Sequence, residues 1–162
     1  MQTCLPQLNA LLALDYPEIL ARYRVDYPGN TLSAEEAFAQ LMKFLWLNAK
    51  HRSDLAATPN NPDLQFKSYM QPEFSEVDDM WHTFILFTRD YMDFGKTHFG
   101  HFIHHQPTSE SEKQHFKENA ESILNDEFAK WLSYVYDNLG PETLQLWFKE
   151  YLEDNENEAT TD

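Results

Sequence analysis

The sequence predicts an all-α fold, a compact bundle of five to seven helices with one long loop at about 53–73. Three observations carry this. Apolar residues recur at spacings of three and four along most of the chain, strand-type alternation is nowhere sustained, and helix punctuation recurs between the periodic stretches. Taking the chain in order, Leu5, Leu8, Leu11 and Leu12 mark a short amphipathic helix. Pro17 suits the first position of a second helix, read as Tyr16 to Tyr27, and Tyr27-Pro28-Gly29-Asn30 is a turn. Ser33-Ala34-Glu35-Glu36 has the capping-box form, in which hydroxyl and carboxylate satisfy backbone donors at a helix start. The stripe Ala37, Phe38, Leu41, Phe44, Leu45 and Asn48 then extends that helix to about Arg52.

Thr58-Pro59-Asn60-Asn61-Pro62 lies in the expected loop, and long loops often shape a site. Ser75 is the expected cap of the next helix, with Asp78 reaching back and Val77, Trp81, Phe84 and Ile85 as its buried stripe. Thr88 is the expected cap of a shorter helix through Tyr91, Met92 and Phe94, ended by Gly100. Pro107 disfavours helical angles before it, so His101 to Pro107 should be extended. From Ser109 a long run passes through Phe116, Ile123, Phe128, Trp131, Leu132 and Val135 to Gly140, with a break expected near Asn125. Pro141 opens a last helix over 142–154, burying Leu144, Trp147, Phe148 and Tyr151.

The chain reads as one helical domain, 1–154, followed by a disordered acidic tail, 155–162, which has no large apolar side chain. Its 162 residues suffice to bury roughly 70% of the surface exposed when unfolded. The formal charge of −15 excludes a phosphate-binding surface, so no nucleic acid and no anionic membrane is expected as a partner. The charge is uneven. Residues 1–52 hold five acids and five bases, 53–109 eight acids and three bases, and 110–162 fourteen acids and four bases. The acidic C-terminal helices are thus a solvated face or a docking surface for a basic protein partner. With a single Cys4, no basic and apolar leader and no apolar stretch of bilayer length, the expected location is cytoplasmic.

Chemistry concentrates in one segment. Five of the seven histidines lie between positions 82 and 105. On a helix, Asp78 and His82 are four apart and share a face, as do Asp79 and His82 at three. That spacing serves either a carboxylate orienting an imidazole or two ligands of one metal ion. A return through Thr88 to Gly100 would let His101, His104 or His105 approach His82, and in an extended strand His104 and His105 point oppositely, so one of them faces the site. Imidazole and carboxylate donors suit a divalent transition metal, zinc or non-haem iron, and a lone cysteine excludes a thiolate knuckle. Against these stand ordinary structural roles: a core ring for Trp81, a helix-crossing hydrogen bond for Asp78 and His82, and carbonyl pairing at a helix end for His98 and His101. His51 and His115, without a visible partner in sequence, read as surface or capping residues. No Gly-rich phosphate loop, G-x-S-x-G elbow or H-E-x-x-H motif is present.

Val77-Asp78-Asp79-Met80-Trp81-His82-Thr83-Phe84, then Thr88-Arg89-Asp90-Tyr91 and Phe99-Gly100-His101-Phe102-Ile103-His104-His105, resemble the signature of the glycine-rich domain-containing protein-like family. The likeness extends upstream to Lys43-Phe44-Leu45-Trp46-Leu47, and the chain is similar to the short stand-alone bacterial type. The resemblance implies a signature formed by Asp78, Trp81, His82, Tyr91, Gly100 and one of His104 and His105. Plant members of that family add a glycine-rich region and are associated with RNA binding. Together these readings give a binding protein whose candidate polar site is Asp78, Trp81, His82, Tyr91, His101 and His105. The alternatives are a metal-dependent enzyme with Asp78, His82, His104 and His105 as candidate ligands, and an interaction module with an acidic C-terminal surface.

Overall fold

The computed structural model describes residues 5–68, 74–107, 109–149 and 152–153, with side chains except at 112–113 and 115–125. Among these the architecture is all-α: α1 (Leu8–Leu12), α2 (Pro17–Asp26), α3 (Ala34–Ala57), α4 (Ser75–Leu86), α5 (Thr88–Phe94) and α6 (Glu110–Trp147). A 3-10 turn, Pro62–Leu64, and a π-helical turn, Gly95–Phe99, complete it, and no strand occurs among the described residues. None of these helices is long and apolar enough to cross a membrane. The expected tail at 155–162 lies outside the described residues.

Contacts divide the chain into two units, Met1–Ser53 with Met70–Ile103, and Asp54–Tyr69 with His104–Asp162. In the first, the Ser33 capping box forms as read: the Glu36 carboxylate accepts from Ser33 N at 3.1 Å and Ser33 Oγ from Glu36 N at 3.1 Å. Pro17 starts α2, where its missing N–H costs nothing. The core is aromatic. Phe84, 0% exposed, has Tyr91, Phe94, Tyr16 and Phe38 around it at ring distances of 5.2, 5.1, 5.1 and 5.8 Å. Phe44 bridges Phe74 and Trp81 at 5.6 and 5.9 Å. Burying each such ring is worth about 1.5–3 kcal/mol.

Several helix boundaries differ from those expected. α3 runs past Arg52 to Ala57, because Leu55, Ala56 and Ala57 favour helix and Thr58 closes it through Asp54 O, accepting from Thr58 N and Oγ1 at 2.9 Å each. Neither Ser75 nor Thr88 caps its helix. The cap positions are Phe74 and Phe87, without a side-chain bond. Phe74 is 1% exposed, so burial of its ring fixes the entry to α4. Phe87 alone separates α4 from α5, its N–H bonded to Phe84 O at 3.0 Å and its carbonyl accepting from Tyr91 N at 2.9 Å. That double use leaves no room for a separate capping turn.

In the second unit, the stretch expected to be a loop is partly built. Asn61 accepts from Asp63 N at 3.0 Å to start the 3-10 turn, and Leu64 and Phe66 are buried. Phe66 lies 5.8 Å from Trp131 and 5.5 Å from Tyr134, while Trp131 stacks on Trp147 at 6.4 Å and 29°. Tyr134 donates to Asp54 Oδ2 at 2.7 Å. α6 passes Asn125 without the expected break and turns instead at Gly140, whose φ of 85° is accessible to glycine and strained for other residues. Pro141 then leads the final segment, in which Trp147 and Phe148 are buried and Leu144 is half-buried. The side chains of His115, Phe116, Ile123 and Tyr151 lie outside the description.

Candidate functional site

α4 presents four polar side chains of similar appearance in sequence, and the fold gives them different work. Glu76 holds the turn before α3: its carboxylate accepts from Thr31 N and Leu32 N at 2.7 Å each and from Thr31 Oγ1 at 3.0 Å. Asp79 accepts from Asn30 Nδ2 at 2.9 Å, and the same amide donates to Tyr23 Oη at 2.9 Å. Tyr23 is 1% exposed, and burial raises its phenol pKa. These bonds fasten the α2–α3 turn onto α4, and none of Asn30, Glu76 and Asp79 was singled out from sequence for this role. Glu76 carried no assignment in the sequence, and Asp79, read there as a neighbour of His82 on one helix face, bonds Asn30.

Asp78 and His82 stand one helical turn apart and are brought together. His82 Nδ1 lies 2.7 Å from Asp78 O and 3.2 Å from Asp78 Oδ2. A carbonyl oxygen can only accept, so Nδ1 carries the proton and Nε2 is the lone-pair nitrogen of the neutral ring. Histidine metal ligands typically have this arrangement, one ring nitrogen donating to a backbone or carboxylate oxygen and the other directed at the metal. The side chains are 30% exposed at Asp78 and 53% at His82, so solutes reach both.

Trp81 and Tyr91, two further candidate site residues, form a buried relay. Trp81 Nε1 donates to Tyr91 Oη at 2.9 Å, and Tyr91 Oη donates to Ile103 O at 2.6 Å. Tyr91 is 2% exposed, and burial raises its pKa although the Trp81 bond works the other way. The relay therefore holds the segment that follows the π turn. Gly100, at φ 77°, ends that turn in the left-handed conformation as the sequence indicated. His101 Nδ1 lies 2.9 Å from Phe99 O, a helix-end carbonyl, and the His98 ring packs 5.4 Å from Phe94. His104 is exposed and His105 half-buried, one and two residues beyond Ile103.

Two further residues correct or extend the sequence reading. His51 is buried, 9% exposed, rather than on the surface, because it falls on the inward face of the longer α3. Gly95 is buried beneath the returning chain: a Cβ there would stand 2.7 Å from His101 O and 3.5 Å from Phe102 Cα. The sequence signal for this packing role was an isolated glycine within a helical pattern.

A family model described as UCP032817-like matches residues 65–143, a description that assigns no activity. This match overturns the likeness to the glycine-rich domain-containing protein-like family. Asp78, Trp81, His82, Tyr91, Gly100, His104 and His105 all lie within the matched span, which starts beyond the Lys43–Leu47 helix that the likeness had included and continues through most of α6. No curated protein and no solved structure matches the chain. Over residues 65–143, the segment that holds the Asp78–His82 pair and the Trp81–Tyr91–Ile103 relay, the chain is similar to the UCP032817-like family.

Proposed function

We propose that this protein is a binding protein whose polar site takes a divalent transition metal, zinc or non-haem iron, through Asp78 and His82 of α4. The observation that carries the reading is the 2.7 Å bond from His82 Nδ1 to Asp78 O, which selects the tautomer with Nε2 as the donor atom for a metal. The Asp78 carboxylate shares that face of α4. One carboxylate oxygen and one imidazole nitrogen form a borderline donor pair, with positions left for water or a bound anion.

The test is metal analysis of tag-free protein after reconstitution with zinc and, anaerobically, with ferrous iron. About one equivalent in the wild type, lost on His82→Ala, is the expected outcome. Less than about a tenth of an equivalent of either metal overturns the reading.

A further inference from the structure

We infer that Asn30 is a positioning residue that withholds the Asp79 carboxylate from the Asp78–His82 site, and that it thereby tunes the site toward zinc and away from manganese. The inference rests on the metal reading above and deepens it. On a helix of 3.6 residues per turn, the positions four and three before a histidine lie about 40° and 60° to either side of it. Asp78 and Asp79 therefore flank His82, and spacing alone allows either carboxylate, or both, to join it. The structure separates them. His82 Nδ1 lies 3.2 Å from Asp78 Oδ2, whereas Asp79 Oδ2 accepts from Asn30 Nδ2 at 2.9 Å.

Asn30 is held firmly enough to keep that carboxylate. An ionised carboxylate only accepts, so the amide nitrogen, not the amide oxygen, must face Asp79. The same nitrogen donates to Tyr23 Oη at 2.9 Å, on a side chain 1% exposed, so both amide hydrogens are spent and the group cannot turn without losing a bond. Its backbone is fixed too. Asn30 N donates to Tyr27 O at 3.2 Å, and the next two amides, Thr31 N and Leu32 N, donate to the Glu76 carboxylate at 2.7 Å each. All of these residues belong to the first unit. For a metal the consequence is one of donor charge and hardness. One carboxylate with one imidazole favours zinc, whereas a second carboxylate adds a charged, hard oxygen, the donor that suits manganese.

The experiment measures zinc and manganese affinities of the full, tag-free chain, zinc by competition with a chromophoric chelator and manganese by the electron paramagnetic resonance signal of the free ion. The proteins are wild type, Asn30→Ala, Asp79→Asn and the Asn30→Ala/Asp79→Asn double variant. Asn30→Ala frees Asp79 and should bind manganese about tenfold more tightly than wild type, with zinc gaining less, so the zinc-to-manganese affinity ratio falls. A merely structural loss would weaken both metals instead. Asp79→Asn removes a carboxylate that takes no part in the wild-type site, so its zinc affinity should stay within about twofold of wild type. In the double variant the manganese gain should vanish, because no second carboxylate is left to join. Wild-type zinc binding with an affinity ratio that falls by less than about twofold in Asn30→Ala overturns this inference alone, as does a manganese gain that persists in the double variant. A loss of about tenfold in zinc affinity on Asp79→Asn overturns it as well, since Asp79 would then already be a ligand, and this comparison decides the matter if Asn30→Ala does not fold. A wild-type chain that takes up neither zinc nor ferrous iron overturns the metal reading and the inference with it, and uptake of iron without zinc overturns the inference only.

Discussion

Trp81 and Trp131 are both buried indoles, 8% and 0% exposed, and their ring N–H groups have opposite fates. Trp81 Nε1 has the Tyr91 hydroxyl at 2.9 Å, whereas Trp131 Nε1 is buried with no hydrogen-bond partner among the described residues, amid Phe66, Trp147 and the rest of its aromatic cluster. An orphaned buried donor costs about 1–3 kcal/mol, so the second unit accepts a penalty that the first avoids. Both indoles are anchored by ring packing. Around Trp81 the polar chemistry also fixes a backbone atom, Ile103 O, through Tyr91.

The largest effect should come from Tyr91→Phe. It takes the hydroxyl away from both Trp81 Nε1 and Ile103 O in a buried place, and urea denaturation should show a loss of about 3 kcal/mol. A loss below about 0.5 kcal/mol would mean that water or a shift of the chain replaces the relay, and the contrast between the two units would disappear. Replacing each tryptophan by phenylalanine sharpens the same contrast. Both variants lose ring area, but Trp131→Phe also removes an unsatisfied donor, while Trp81→Phe removes a satisfied one. Trp131→Phe should therefore be the milder by about 2 kcal/mol, and equal costs would show that the Trp131 N–H is satisfied in solution.

What the sequence disclosed about these regions follows the range of each interaction. The Ser33 capping box and the Gly140-Pro141 turn are settled within four residues, and both appear as read. The Asp78–His82 pair also lies within one helical turn, so spacing alone indicated it. The division of labour among Glu76, Asp78 and Asp79 could not be read that way, because the partners of Glu76 and Asp79 are Thr31, Leu32 and Asn30, more than forty residues upstream. Ser75 and Thr88 carried a local capping signal that buried Phe74 and the single-residue link at Phe87 overrode. His51 went astray for a related reason: once α3 was ended at about Arg52, nothing in the sequence required its last turns to face a core.

The smallest effect separates two of the buried tyrosines, Tyr91 and Tyr134, by pH. Tyr134 donates to the Asp54 carboxylate at 2.7 Å, and burial, this bond and the Asp54 charge all push its phenol pKa far above the usual 10.0. For Tyr91 burial also raises the pKa, but the Trp81 bond opposes it, so the alkaline contribution of Tyr91 is the weaker. A phenol that keeps its proton in the folded state while the unfolded chain loses it means that the unfolded state binds fewer protons above about pH 10. Stability then falls as pH rises through that region and is unaffected by the group below it. Tyr134→Phe should cost only about 1 kcal/mol at pH 7, because half-buried Asp54 can turn to water. Its stability should decline less steeply than that of the wild type above pH 10, by up to about 1.4 kcal/mol per pH unit. Parallel alkaline limbs for wild type and Tyr134→Phe would show that Tyr134 ionises no later in the fold than in the unfolded chain. The Asp54 bond would then be a surface contact rather than a lock on the second unit.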